Sequence, residues 1–512
     1  MELSLTDFVH LRGIEREALR ITESGIVSTN RHPIAFGSKL TNKTITVDFS
    51  ESSLEIITKP HNSSENALKN LTEISSFCAR NMLKNELLLN ASMPLKTTED
   101  IINIADFGNS HSGQMKKIYR KGLALRYGKI MQLIAGIHYN FSFDQKLMTY
   151  LSKKRAMSIN ALYFSVINHY FDFMFLLPYL FGSSPICAKS SLTGKKPDYL
   201  DELDENYYIG EYATSLRMSD FGYQSNAQKN LFITYGSLDS YVKDLIQATQ
   251  TPYGPFLTFG EYSDNSKRHQ LNSNILQLEN EYYSAIRPKQ IVNFEERPAY
   301  ALLRRGVGYL EVRLLDVNPF HNIGIDAATS YFTEALLMTC LMLPPKKYCQ
   351  KTIKRNRNNL NKVVINGRNP NLFVLVDGYH SRSFQDIGYY MIDTIEKYAK
   401  KMGPDYLMAI DLQRQKLEKV EYTPSAQIMT QSKKSYHSWV IEQSKKHHQS
   451  LLSYKISEQV SLYLKQQARE SQALQNVLEQ DVCCDIEDYI KYYYNNFALI
   501  GSKKCLSTNM GV

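Results

Sequence analysis

The sequence predicts a soluble chain of mixed β-strands and α-helices, and three patterns predict it. Stretches around residues 13–20, 45–58, 131–142 and 309–320 alternate apolar and polar side chains, the period of two that a half-buried strand requires. Residues 62–82, 158–177 and 327–343 instead carry apolar side chains at helical spacing. Beyond about residue 350 the chain is rich in Lys, Gln and Tyr and reads as largely helical.

At 512 residues the chain is long enough for one large domain or two or three ordinary ones. With 43% apolar and 22% charged residues it has the composition of a soluble globular protein. Its 60 Lys and Arg against 51 Asp and Glu leave a net charge of +9, which suits anionic small molecules or nucleic acid without selecting either. The 7 cysteines are odd in number and lack CxxC spacing, as expected of free thiols in a reducing compartment. The most apolar runs, 171–181 and 336–343, are about half the roughly 20 residues of a membrane span. The first residues carry Glu2 and Asp7 where a signal peptide needs an apolar run. A cytoplasmic protein without membrane contact is expected.

Along the chain, Gly13-Ile14-Glu15-Arg16-Glu17-Ala18-Leu19-Arg20 comes first. If extended, it sets Glu15 and Glu17 side by side on one face. Two carboxylates that close repel unless a cation lies between them. A solvated face with Arg16 and Arg20 as countercharge accounts for the same pattern, and Leu11, Ile14 and Ala18 also fit a helix. Residues 21–27 read as strand, turn and strand, with Gly25 at the bend. Alternation at Ile45, Val47 and Phe49 puts Asp48 on the opposite, polar face. Glu55 is flanked by Leu54, Ile56 and Ile57, a setting that makes an acid costly to bury unless it is paired or metal-bound. A helix is expected to start at Asn62, with Glu65 in a capping-box-like pairing and Leu68, Leu71, Ile74, Cys78 and Met82 as its core stripe.

Residues 106–113 form a turn-rich loop leading into Lys116, Lys117, Arg120 and Lys121, which suit an anion clamp or a solvated helix face. In Met131 to Ser142, alternation gathers His138, Asn140 and Ser142 on one strand face. A histidine there is either a hydrogen-bonded core residue or a nitrogen ligand among oxygens. The apolar helix over 158–177 is expected to end at Pro178. Arg217 and Tyr223 follow in a loop, as recognition residues or plain surface. In Tyr309 to Phe320, Glu311 and Arg313 share a strand face, either as a structural pair or as holders of a metal and its phosphate. The histidines between 437 and 448 lack metal-site spacing.

No GxxxxGK[ST], HExxH, GxSxG or GxGxxG motif occurs, so none of those mechanisms is signposted. What remains is Glu15, Glu17, Asp48, Glu55, His138 and Glu311, five hard oxygen donors and one imidazole. Hard donors select magnesium or manganese over zinc. Such a cluster beside cationic side chains is what nucleotide phosphates need.

The stretches GIEREALR at 13–20, HPIAFGSKLTN and ITVDFSESSLEIIT between 32 and 58, SMPL at 92–95 and YRKGLALRYG at 119–128 then stand out together. With MQLIAGIHYNFS, PYLFGSSPI, YATSLRMSDFGY, LNSNILQLENEYYSAIRPK and YLEVRLLDVNPF, they closely resemble, in order, the proteobacterial type of glutamate-cysteine ligase. The likeness covers roughly residues 10–325 and is weak from about 345 onward. It implies an α+β fold of the glutamine synthetase-like superfamily, a curved antiparallel sheet cradling the active site with helices behind it. Residues 1–345 are expected to be the catalytic domain and 346–512 a mainly helical region packed on it or extending it.

Carried over by position, Glu15, Glu17, Asp48, Glu55, His138 and Glu311 look like the family's magnesium ligands, and Arg313 like its catalytic, phosphate-facing arginine. Tyr119, Gln132, Arg217, Tyr223 and Tyr283 resemble the lining of the cysteine pocket, with Leu123 as its apolar contact. His111 stands where an Asn is expected and Asn42 where a His is expected. The implied reaction joins L-glutamate to L-cysteine with ATP and Mg2+, or Mn2+ in its place. The rivals are another carboxylate-amine ligase with a different amine, and a nucleic-acid binder using the +9 charge. No nucleic-acid partner is expected, and a monomer is the simplest oligomeric state.

Overall fold

The stretch around Glu15 and Glu17 is extended, as the 12-residue strand β1 (Leu11–Thr22). In the computed structural model, which describes residues 4–495 except 193, 221, 223–225, 378, 379 and 483, β1 lies inside the main sheet. The strands in chain order are β2 (Ile45–Val47), β3 (Ser53–Ile57), β4 (Glu86–Leu88) and β5 (Gly136–Ser142), then β6 (Ile186–Ala188), β7 (Asp201–Glu202) and β8 (Tyr207–Ile209), then β9 (Ile286–Lys289) and β10 (Tyr309–Asp316). The main sheet has 7 strands in the order β2-β3-β1-β5-β10-β9, with β4 pairing the far end of β1. Every pairing within it is antiparallel. Strands β6, β8 and β7 form a separate small sheet.

The helices of the first part are α1 (Ser64–Asn81), α2 (His111–Tyr127), α3 (Gln145–Arg155), α4 (Ile159–Phe173), α5 (Leu176–Phe181), α6 (Leu238–Ala248), α7 (Gly254–Leu257), α8 (Pro298–Arg305) and α9 (Ala327–Met342). One face of the main sheet meets α1, α4 and α9. Ile14 and Ala18 of β1, Leu54 and Ile56 of β3, Ile137, Tyr139 and Phe141 of β5, and Leu310, Val312 and Leu314 of β10 share one core with Leu71 and Ile74 of α1, Leu162 and Val166 of α4 and Phe332 and Leu336 of α9. Each of these large side chains, fully withdrawn from water, contributes about 1.5–3 kcal/mol. The architecture is α+β, an open antiparallel sheet with helices behind it.

Several local expectations are corrected. Helix α1 starts at Ser64, because Ser63 is the residue whose side chain caps the Asn66 N–H. The helix expected over 158–177 breaks after Phe173, and Pro178 lies in the first turn of α5 rather than ending it. The ring of Pro178 would clash with the carbonyl of Met174 in a continuous helix, whereas a first turn tolerates proline. Arg16 and Arg20 are not solvated: both are buried, on the side of β1 that faces the helices. Arg12, on that same side, donates two hydrogen bonds to Glu334 of α9, at 2.9 and 2.7 Å. Arg16 donates to the Asn322 carbonyl at 2.8 Å and to Asn90 Oδ1 at 2.9 Å. Arg20 donates to Glu86 at 2.8 Å and to the Glu51 carbonyl at 2.8 Å.

The later chain is mainly helical: α10 (Gln350–Asn366), α11 (Phe384–Ala399), α12 (Pro404–Glu418), α13 (Pro424–Gln431), α14 (Tyr436–Ser453), α15 (Glu458–Gln480) and α16 (Ile486–Asn495). It also holds a strand pair that the sequence reading missed, β11 (Phe373–Asp377) with β12 (His380–Ser383). These elements fold back on the first part. Ser38 N–H donates to Ser471 Oγ of α15 at 3.0 Å, and Gly37 (φ +78°) approaches so closely that a Cβ would lie 2.7 Å from the Ala468 Cα. Only glycine supplies both that backbone angle and that clearance. Met115 and Ile118 of α2 pack on Tyr489 and Ile490 of α16. Among the described residues, no helix is long and apolar enough to cross a membrane.

Candidate active site

Strand register assembles the site. Glu17 lies opposite Glu55 across β1 and β3, Glu15 lies opposite His138 across β1 and β5, and Glu311 lies opposite Asn140 across β10 and β5. Since side chains alternate, positions paired in this way share a face, and this face is the one turned away from α1, α4 and α9. Asp48 joins it just past β2, its backbone N–H donating to the Ser53 carbonyl at 2.9 Å. Residues from distant parts of the chain thereby form one rack: Glu15, Glu17, Asp48, Glu55, His138, Glu311 and Arg313.

Hydrogen bonds fix the rack's orientation. Asn140 Nδ2 donates to Glu15 Oε1 at 2.7 Å, and the Gly136 N–H donates to Glu17 Oε2 at 2.6 Å. His138 stands between the two acids, with Nδ1 3.3 Å from Glu15 Oε2 and Nε2 3.6 Å from Glu17 Oε1. On β10, Arg313 Nη1 donates to Glu311 Oε2 at 3.1 Å. Strand β9 brings Lys289 Nζ to 3.5 Å and Arg287 Nη1 to 3.9 Å from the same carboxylate. From α2, the Arg120 guanidinium donates to the Asp48 carbonyl.

The charges are distributed unevenly. Burial opposes ionisation of Glu311, but Lys289, Arg313, His138 and Arg287 together outweigh it and hold its carboxyl well below the usual range. For Glu15 burial is again offset, by the hydrogen bond and charge of His138 and by Lys289, and its value lies below the ordinary one. The β2–β3 side is different. Burial and then the neighbouring acids Glu15, Asp48 and Glu17 push Glu55 well above the usual carboxylate range, with Arg120 opposing weakly. Asp48, although it still reaches solvent, is raised by desolvation within the cluster and by Glu17. One half of the rack is therefore balanced by cations of the chain, and the other half is an anionic site short of positive charge.

That donor set fits a hard divalent cation. Ligating atoms of Glu15, His138 and Glu311 all lie within 4.8 Å of one another. His138 Nε2 is buried and has no hydrogen-bond partner among the described residues, a costly state for a polar atom unless something else takes its lone pair or proton. Oxygen-rich surroundings with one imidazole suit magnesium or manganese.

The other expected residues lie as follows. Tyr119 and Leu123 are on α2, and Leu123 is buried in a core cluster with Leu133. Tyr119 is crowded by burial, by Glu281 and by Tyr283, and its phenol is pushed well above the usual value. Gln132 lies in the single turn Met131–Leu133 that leads into β5. Arg217 is buried and reaches the rack from below: Nη2 donates to the Arg313 carbonyl at 3.1 Å, and Nη1 lies 3.6 Å from Asp316 Oδ1. Its guanidinium passes so near Gly136 that a Cβ there would lie 2.0 Å from Nη2. Tyr283 precedes β9, its N–H held by Gln228 Oε1 at 2.9 Å. Tyr223 lies outside the described residues. His111 does not reach the rack, since its ring hydrogen-bonds the Cys484 carbonyl at 2.8 Å and stacks on Tyr489 at 5.0 Å. Asn42 holds its own loop, donating to the Phe36 carbonyl at 2.7 Å.

The sequence reading missed Arg287 and Lys289, whose alternation in Ile286-Arg287-Pro288-Lys289 was the available signal, obscured by a proline that seldom sits in a strand. It placed Arg120 only within a basic run. The structure divides that run, with Arg120 buried and pointing to Asp48 while Lys117 pairs with Asp106 at 2.9 Å toward solvent.

The family model for glutamate-cysteine ligase matches residues 5–363. A glutamate-cysteine ligase of Pseudomonas putida is 39% identical over 507 residues, covering 96% of each chain. One of Janthinobacterium sp. (strain Marseille) is 37% identical, covering 94% of this chain and 93% of that protein. A crystal structure of the Francisella tularensis glutamate-cysteine ligase, solved in complex with AMP, superposes with a TM-score of 0.95 at 48% identity, covering 97% of this chain and 99% of that one. A bifunctional glutathione synthetase of Pasteurella multocida shares the fold, with a TM-score of 0.70 at 20% identity over 92% of this chain and 56% of its own. This protein is therefore an enzyme of the ligase class. It belongs to the glutamate-cysteine ligase family, and its reaction is the ATP-dependent formation of γ-glutamylcysteine in glutathione biosynthesis.

Proposed function

We propose that the rack on the open face of the sheet is where this reaction takes place, with Glu15, Glu17, Asp48, Glu55, His138 and Glu311 holding magnesium, or manganese in its place. The observation that carries the proposal is the anionic half around Glu55, half-buried among like charges with Arg120 as its weak counterweight. A bound hard cation would offset repulsion between a substrate carboxylate and a triphosphate. Arg313, with Arg287 and Lys289 beside it, would hold the phosphoryl oxygens and follow charge onto the transferring group. The γ-carboxylate of glutamate attacks the γ-phosphorus of ATP, releasing ADP and giving γ-glutamyl phosphate. The amine of cysteine then displaces phosphate, losing a proton as the amide forms. A carboxylate is a poor acyl donor at neutral pH, so its oxygen must first become a leaving group. Fixing three substrates in one site supplies on the order of 7–11 kcal/mol of the barrier.

Tyr119, Leu123, Gln132, Arg217, Tyr223 and Tyr283 are proposed to line the cysteine pocket. The mutual crowding of Tyr119 and Tyr283 beside Asp48 supports that reading. We further infer a cytoplasmic enzyme with residues 1–345 as its catalytic part and the later helices as a brace. The test is purified protein with ATP, magnesium and glutamate, with and without cysteine, followed by mass spectrometry and phosphate release. γ-Glutamylcysteine and ADP are expected in equal amounts. Phosphate release driven better by another amine would make the enzyme a different ligase of the same fold.

A further inference from the structure

Helix α10 carries Lys351, Lys354, Arg355, Arg357 and Lys362 and no acidic residue. One side of it borders a cavity of about 340 Å³, closed by α4 and by chain segments at 228–233 and 282–285. No residue of the carboxylate rack lines this cavity, although Tyr283 borders it. Its charged lining is Arg357, Lys354 and Lys229 against Asp220, and its apolar wall includes Phe171, Met174 and Phe232.

Arg357 is half-buried there. It donates to Tyr282 Oη at 2.9 Å, and no carboxylate among the described residues pairs with it. A guanidinium offers five N–H donors in a planar fork that matches a carboxylate. Half-buried and lacking an acid, it keeps both its charge and most of those donors for something else.

We propose that this cavity is a second small-molecule site, separate from the ligase centre, for an organic carboxylate with an apolar body. The carboxylate sits on Arg357, with Lys354 and Lys229 adding charge at the rim, and the body lies against Phe171, Met174 and Phe232. The site does not depend on which residues hold the metal.

The probe is 3-phenylpropionate, with 3-phenylpropan-1-ol as its uncharged counterpart, titrated calorimetrically into the full-length enzyme with magnesium present. The carboxylate should bind, the alcohol at least about tenfold more weakly, as expected when a charge-assisted hydrogen bond is lost. Arg357→Met should weaken the carboxylate by a similar factor, while Arg357→Lys and the rim variant Lys354→Gln should retain partial affinity at unchanged turnover. The two milder variants decide the matter if Arg357→Met fails to fold. Saturating AMP, glutamate or cysteine should leave the affinity unchanged. Absence of binding, equal affinity for acid and alcohol, insensitivity to all three variants, or displacement by AMP or either amino acid would overturn the proposal. The last outcome would make the cavity an extension of the substrate site and leave the ligase assignment standing.

Discussion

The two faces of β1 carry charge in opposite ways. Toward the helices, Arg12, Arg16 and Arg20 are buried, and each meets an acid or carbonyl within 2.9 Å. Toward the open side, Glu15 and Glu17 face Glu55 and Asp48, and the two acids on β3 and beyond β2, short of positive charge, resist ionisation. Buried cations held by the chain's own acids, amides and carbonyls are compatible with a purely structural role, whereas acids crowded together in a half-buried cleft cost stability and persist where a ligand repays it. Alternation along one strand thus separates the part of the molecule that holds the sheet to its helices from the part proposed to hold substrates.

The largest effect should come from breaking the paired face. Removing Arg12 leaves Glu334 buried with Tyr139, Ser64 and Tyr406 as its hydrogen-bond partners and no ion-pair partner among the described residues. Arg12→Met should cost about 3–5 kcal/mol of folding stability, read from urea unfolding. Adding Glu334→Leu to it should recover much of that loss, because the orphaned charge is then gone. A double variant as unstable as the single one would show that Arg12 acts through packing instead.

On the open face the same kind of change should have the opposite signature. Glu55→Gln should reduce glutamate-dependent phosphate release by on the order of 10²–10³-fold, while the melting temperature without metal holds or rises, since an acid that is costly to ionise among like charges has been removed. Near-normal turnover at saturating magnesium would remove Glu55 from the metal site.

The paired face should also respond to acid. His10, next to Arg12, is held neutral: burial and the Arg12 charge lower its value from 6.5 to about 4. Its Nδ1 accepts the Asp144 N–H at 3.0 Å. Below pH 6.5 the unfolded chain takes up a proton that the folded protein refuses until about pH 4. The stabilisation from this group is therefore complete above 6.5 and is lost as the pH falls through that window, at most about 3 kcal/mol. His10→Gln, which can still accept that N–H, should flatten the fall in unfolding free energy between pH 7 and 4. Parallel curves for the two proteins would assign the acid loss to other groups.

Much of this contrast was legible beforehand, in a specific sense. A period of two announces that Glu15 and Glu17 share a face and that Asp48, His138 and Glu311 lie on polar faces. It does not say which face of β1 is buried. Arginines at 16 and 20 look like solvent-facing residues until Asn90, Asn322 and Glu86 arrive from elsewhere in the chain to satisfy them. Nor does alternation give register, and only register sets Glu17 against Glu55. The ligand set came from resemblance, while Arg287, Lys289 and the β11–β12 pair were hidden by a proline and by a Lys-rich context.

The smallest expected effect sharpens the comparison at the edge of the open face. Backbone pairing continues past β9, since the Arg313 N–H donates to the Ala285 carbonyl at 3.1 Å. Alternation then puts Tyr283 and Ala285 on the same side as Arg287, with Tyr283 near Tyr119. If its ring walls the amine pocket, losing that ring removes on the order of 1.5–3 kcal/mol of apolar contact from cysteine alone. Tyr283→Ala should raise KM for cysteine roughly 10- to 100-fold and change KM for ATP little, while Tyr283→Phe should keep most of the affinity, because the ring and not its hydroxyl supplies the contact. An equal rise for both substrates would mean that Tyr283 shapes the β9 edge as a whole, and the amine pocket would have to be sought elsewhere along the rack.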